Sequence, residues 1–192
     1  MQKRTLYLAS SSPRRADILR RFNIPFIKIE NKLISEKLPA CTNNLKTKLI
    51  RIAKQKVSAS KSFYKGLILG VDTAVILNNV IFGKPQNLAD AETILSCLSG
   101  KTHNVISACC VLDTIQNKWL CRTDQSKVTF RKLTKKQIQD YCANYNVLDK
   151  AGAYAIQEIG NDFILQVKGS YFNIVGLPIE RLLKLFKNYD IV

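Results

Sequence analysis

The chain has 192 residues, of which 46% are hydrophobic, enough for a substantial core and too apolar for a disordered chain. No apolar run approaches the ~20 residues that a membrane helix needs, and the basic start "MQKRTLYLASSSPRR" holds an apolar run of only about four residues, too short for a signal peptide, so a cytoplasmic location is expected. Thirty Lys and Arg face fourteen Asp and Glu, a net charge of +16 that suits polyanionic ligands or is simply spread over a solvated surface.

In chain order, "TLYLA" (5–9) reads as a buried strand and "PRRADILRRF" (13–22) as a helix. Ser12 suits its N-cap, Pro13 its first position, and Ala16, Leu19 and Phe22 its buried stripe. "PFIKI" is a second strand. A helix is expected over 44–61, with Leu45, Leu49, Ile52, Ala53 and Val57 inward. "LILGV" (67–71) is a strand with Asp72 at its end, and "VILNNVIFG" a hairpin turning at Asn78-Asn79. A helix over 89–98 stops at Gly100, and "HNVISACCVL" and "SKVTFRKL" follow as strands. Thr134 and Gln137 form a capping box for a helix over 135–144. "NDFILQVKGSYFNIVGLP" reads as two strands joined at Lys168-Gly169, before a last helix opened by Pro178 with Ile179, Leu182, Leu183 and Phe186 on one face. Alternating strands and helices, without repeats or linkers, predict one α/β domain over 1–192.

The six cysteines, Cys41, Cys97, Cys109, Cys110, Cys121 and Cys142, include no Cys-x-x-Cys pair, and His103 is the only histidine. A zinc site is therefore not expected, and the cysteines read as free, mostly buried thiols. One histidine also leaves no persuasive Ser–His–acid or thiol–histidine arrangement.

Three stretches carry chemistry. In "LASSSPRR" (8–15), Arg14 and Arg15 stand in the first turn of a helix, where the N-terminal dipole disfavours cations by about 0.3–1 kcal/mol each. A bound phosphate reverses that sign, since N–H groups, hydroxyls and guanidinium forks would converge on it; alternatively both arginines are solvated and Ser12 is only a cap. Asp72 in "GVDT" can hold a divalent metal or act as a base toward water, and Lys84 in "GKP" returns beside it through the hairpin; the plain alternative is an Asx turn and a turn lysine. In "DKAGAYAIQ" (149–157), Gln157 can both donate and accept toward a base edge, while Tyr154 reads as a core ring or a stacking surface.

These stretches, together with "IAKQK" (52–56), "LSGKTHNVISA" (98–108), "VTFRKLT" (128–134) and "GSYFNIVGLP" (169–178), fall in the order found in the Maf family of nucleoside triphosphate pyrophosphatases, which the chain resembles over almost its whole length. The resemblance implies an α/β fold around a curved mixed sheet flanked by helices, similar to inosine triphosphate pyrophosphatases. It also implies hydrolysis of nucleoside triphosphates to monophosphate and pyrophosphate with Mg²⁺ or Mn²⁺. By resemblance Asp72 is the proton acceptor; Arg14, Thr73 and Gln157 set substrate choice; Ser10, Arg15, Lys56 and Lys84 line the site. Glu36, in "ISEKL", matches a family carboxylate loosely and joins Asp72 as a metal ligand. The "GAYAIQ" form is similar to the branch acting on dTTP and UTP, and a homodimer is implied.

The chain departs from the family at four places. Val71 replaces an alanine, Glu158 a glycine after the glutamine, and Lys127 an acidic residue, and "NYNVLDK" lacks a glutamate–proline pair. Glu158 adds a carboxylate beside a site for a polyanion; it either points away or weakens binding. Two other readings follow: a regulatory relative affecting cell division with weak catalysis, and a basic nucleic-acid-binding module. The second is disfavoured because a lone carboxylate repels a phosphate backbone, so no stable nucleic-acid partner is expected.

Overall fold

The computed structural model describes residues 4–30, 44–189 and 191. Strand β1 (Leu6–Ala9) leads through helix α1 (Pro13–Arg21) to β2 (Ile27–Ile29), and α2 (Leu45–Ser58) precedes β3 (Leu67–Leu77). Both β2 and β3 run parallel to β1. The remainder is antiparallel: β4 (Val80–Phe82) and β5 (Thr102–Asp113) both pair β3, β6 (Lys118–Phe130) pairs β5, and β7 (Ile164–Lys168) pairs β6. The sheet order is β2-β1-β3-β5-β6-β7, with β4 off this path beside β3. Helices α3 (Leu88–Leu98), α4 (Lys135–Asn144), α5 (Ile156–Phe163), α6 (Tyr171–Val175) and α7 (Glu180–Asn188) complete the expected mixed α/β architecture.

Alternation along β3 sorts its side chains between two layers. Leu67, Leu69, Val71 and Val75 join the main core with residues of α1 and of α3 to α7. Ile68 packs with Val57 of α2, and Ala74 with Leu45 and Leu49 of α2. The sheet is thus sandwiched between α2 and the other helices. Gly70 points at α2: a Cβ there would lie 2.3 Å from the Ala53 carbonyl oxygen. Only glycine admits so close a helix.

The local signals that matched are those with a strong capping or turn mechanism. Thr134 and Gln137 form the capping box of α4. Asn78 and Asn79 take φ of 50° and 64°, the left-handed pair of a tight hairpin between β3 and β4. Pro13 opens α1, yet Ser12, at the N-cap position, makes no side-chain capping bond. Ile179, Leu182 and Phe186 are buried as expected.

Four expectations need correction. β3 continues to Leu77, so Asp72 lies mid-strand. The segment "YFNIV" is helix α6, because the Ser170 hydroxyl accepts the Asn173 N–H at its start and Gly176, at φ 116°, ends it in the left-handed conformation. Residues 156–163 form α5, an element the apolar pattern did not reveal. Cys110 and Cys121 stand opposite each other on β5 and β6 and form a disulfide, so these two are not free thiols. Cys97, Cys109 and Cys142 are free, and burial pushes the Cys109 thiol up to about 12.

Candidate active site

The pairing of β3 with β1 stops at Gly70, and its pairing with β4 starts at Val75. Among the described residues, 71–74 therefore face a gap in the sheet, just where the chain leaves β1 for "SSSPRR". A cavity of about 500 Å³ opens there, a size suited to a small-molecule ligand.

Asp72 and Thr73 are neighbours on one strand, so they project to opposite faces. On the α2 face, Lys56 lies one helical turn beyond Ala53, the residue whose carbonyl Gly70 accommodates. Its Nζ donates to Asp72 Oδ1 at 2.5 Å and to the Val71 carbonyl at 3.1 Å. Burial lowers the Lys56 pKa; Asp72 opposes that shift, while nearby Arg15 and Lys84 add to it. On the other face, Arg15 reaches Thr73 Oγ1 at 3.3 Å, Ser10 Oγ at 2.9 Å and the Gly176 carbonyl at 3.0 Å. Each guanidinium nitrogen thus has a protein partner, and Arg15 ties α1 to β3 and to the end of α6. Burial lowers its pKa to about 10, with Asp72 opposing, and it remains cationic at neutral pH. Ser107 shares a hydrogen with Thr73 at 2.9 Å and donates to the Asn173 carbonyl.

Arg14 turns the other way. It donates to Asp149 Oδ2 at 2.7 Å and to the Asp149 carbonyl at 3.2 Å. Burial acts to raise the Asp149 carboxyl, but Arg14 and Lys150 outweigh it and hold the carboxyl below its ordinary value. Lys84 and Gln157 are exposed at the cavity wall, and Ser10 is buried beneath it. The fold therefore brings Ser10, Arg14, Arg15, Lys56, Asp72, Thr73, Lys84 and Gln157 to one cavity. Glu36 lies outside the described residues.

Asp149 and Lys150 also line the cavity. Sequence reasoning passed over both, although an acid–base pair before "AGAY" was visible. Tyr154 is a core ring and a cavity wall at once: it is buried, it lines the cavity, and its hydroxyl is 2.8 Å from His103 Nε2. Ser99 accepts the Leu133 N–H at 2.7 Å, a structural use. Glu158 is absent from the cavity wall; it pairs with Lys150 at 3.2 Å and accepts from the Tyr141 hydroxyl at 2.9 Å. The cavity holds the cations Arg14, Arg15, Lys56, Lys84 and Lys150 against the carboxylates Asp72 and Asp149, a surplus that favours a polyanion.

Among known proteins, a family model described as "Maf-like protein" matches residues 5–189. The chain belongs to the Maf-like family. A relative in Syntrophomonas wolfei named "dTTP/UTP pyrophosphatase" is 40% identical over 91% of this chain and 92% of its own. Another of that name in Clostridioides difficile is 38% identical, covering 96% and 94%. A solved nucleoside-triphosphatase, a dITP/XTP pyrophosphatase from Mycobacterium abscessus, overlaps 67% of this chain and 75% of its own at 12% identity, with a TM-score of 0.42. No helix among the described residues is long and apolar enough to cross a membrane.

Proposed function

We propose that this Maf-like protein hydrolyses dTTP and UTP to the nucleoside monophosphate and pyrophosphate. One observation carries the reading: a carboxylate, Asp72, held by Lys56 inside a cavity otherwise dominated by cations. The names of its relatives support the substrate class.

In this reading a water attacks the α-phosphorus and pyrophosphate departs. Asp72 takes the proton of that water, and Lys56 keeps the carboxylate aimed. Lys84 and the first turn of α1, with Arg14, offset the growing phosphate charge. Arg15 braces this arrangement and adds positive potential. Gln157 and Tyr154 take the base, the first by its amide and the second by its ring.

A divalent cation fits the donor set. Lys56 engages Oδ1 of Asp72, and Asp72 lines the cavity, so a carboxylate is available beside the place for substrate phosphates. Mg²⁺ is commonly held by one or two carboxylates plus phosphates. When bound, Mg²⁺ or Mn²⁺ would neutralise phosphate charge and polarise the phosphoryl oxygens. The test is pyrophosphate release from a panel of nucleoside triphosphates with Mg²⁺ or Mn²⁺. Turnover of dTTP and UTP is expected, and turnover of purine triphosphates alone would overturn the substrate assignment.

A further inference from the structure

Glu158 follows Gln157 in the first turn of α5 and makes no part of the cavity wall. Its carboxylate is nonetheless fully engaged: Oε1 faces Lys150 Nζ at 3.2 Å, and Oε2 accepts from the Tyr141 hydroxyl at 2.9 Å. The same hydroxyl accepts the Ala155 N–H at 3.1 Å, which secures the entry of α5. Lys150 Nζ also bonds the Asn146 carbonyl and lies 3.2 Å from Asp149 Oδ1. Asp149 in turn holds Arg14. A continuous chain of contacts thus runs from Tyr141 through Glu158, Lys150 and Asp149 to Arg14.

The charges along it alternate and cancel: Glu158 and Asp149 against Lys150 and Arg14. Lys150 is only 4% exposed, and a buried ammonium is costly unless paired. With Glu158 present, Lys150 has two carboxylates and does not depend on Asp149 alone. Without it, Asp149, which already meets Lys150 through Oδ1 and Arg14 through Oδ2, is the one carboxylate left to Lys150, and the balance that sets the Arg14 fork is disturbed. Gln157, the neighbour of Glu158, would shift with it. A dipolar preference of the helix N-terminus for an anion favours the observed position.

We infer that Glu158 is a positioning residue for substrate recognition, fixing Arg14 through Lys150 and Asp149 and Gln157 through the first turn of α5. The inference rests on the pyrophosphatase reading, because it assigns Arg14 and Gln157 to the nucleotide. It also gives the carboxylate at 158 a use: it stands off the polyanion site and neutralises a buried cation of the cavity wall.

The experiment compares wild type, E158Q, E158D and E158G. Glutamine keeps an acceptor for Tyr141 and removes only the charge. KM and kcat are measured with dTTP and UTP, and dTTP binding is measured by calorimetry without metal. E158Q is expected to raise both KM and Kd about five- to tenfold while kcat stays within about twofold, with E158D recovering part of the loss. Thermal unfolding separates this from simple instability, which would lower Tm and leave KM unchanged. Folded variants with unchanged KM and Kd, or an E158G that works faster than wild type, would overturn the inference. If E158Q does not fold, E158D against wild type makes the same comparison. A wild type that binds dTTP without releasing pyrophosphate refutes the reaction and leaves Kd to judge Glu158; a wild type that does not bind dTTP refutes both.

Discussion

Lys56 on α2 and Asp72 on β3 meet at 2.5 Å, sixteen residues apart in the chain, where β3 passes from its pairing with β1 to its pairing with β4. The contact exists because α2 lies almost on the backbone of β3 at Gly70. Neither residue alone is informative; together they place a lysine-held carboxylate in a cationic cavity.

The first prediction concerns that pair. Asp72→Asn keeps the shape and removes the proposed proton acceptor, so kcat should fall by at least about a hundredfold with little change in Tm. Lys56→Met should lower kcat as well, since it leaves the carboxylate unaimed. Steady-state pyrophosphate release measures both, and a fully active D72N would remove Asp72 from the reaction.

Gly70→Ala tests how the pair is brought together. The new methyl would press on backbone, the Ala53 carbonyl, and a Val57 methyl at 2.7 Å. Such overpacking costs about 1–3 kcal/mol. Denaturant unfolding should report that loss, and kcat should drop because α2 carries Lys56 outward. A variant as stable and active as wild type would show that the helix is not so tightly seated.

Arg15→Lys should be damaging although it keeps the charge. One ammonium cannot span Ser10, Thr73 and Gly176 as the guanidinium does. Ser10 is buried and loses the shorter of its two donors, keeping the Ser12 N–H at 3.3 Å, a cost of about 0.5–1.5 kcal/mol. Chemical denaturation checks the size, and the same change at Arg14, which among the described residues is tied only to Asp149, should cost less stability and more substrate affinity.

His103 sets a pH dependence of stability. Burial lowers its pKa from 6.5 to about 4, so the unfolded chain binds the proton first. The stability due to the neutral ring is complete above pH 6.5, falls as pH drops from 6.5 toward about 4, and levels off below. The full effect is on the order of 3 kcal/mol. Unfolding free energies across that window should slope for wild type and run flatter for His103→Gln; equal slopes would refute the assignment.

Several features were legible in the sequence because their physics is local. The α4 capping box, the Asn78-Asn79 turn and the Pro13 helix start each depend on residues within a few positions of one another. "YFNIV" misled because a short stretch with four apolar residues in five fits a strand as well as a buried helix; Ser170 and Gly176 were the signals that should have decided it. Two contacts escaped for another reason. Asp149 reaches Arg14 across 135 positions, and Glu158, itself off the cavity wall, meets the wall residue Lys150, although a carboxylate there had seemed a threat to an anion site.

What the sequence determined by itself was the inventory: a strand, a serine turn and a doubly basic helix start, one carboxylate in "GVDT", and a lysine in "GKP". Periodicity and capping assign such pieces to elements without knowing their neighbours. What the tertiary structure alone decided was the division of labour among them. Because successive strand residues face opposite ways, Asp72 fell to Lys56 and Thr73 to Arg15. The two arginines parted likewise: Arg15 became a brace bonded on three sides, and Arg14 an arm held by Asp149. Such choices depend on which chain segments lie across the gap beside β3, and that is a property of the sheet order, which no short stretch of the sequence contains.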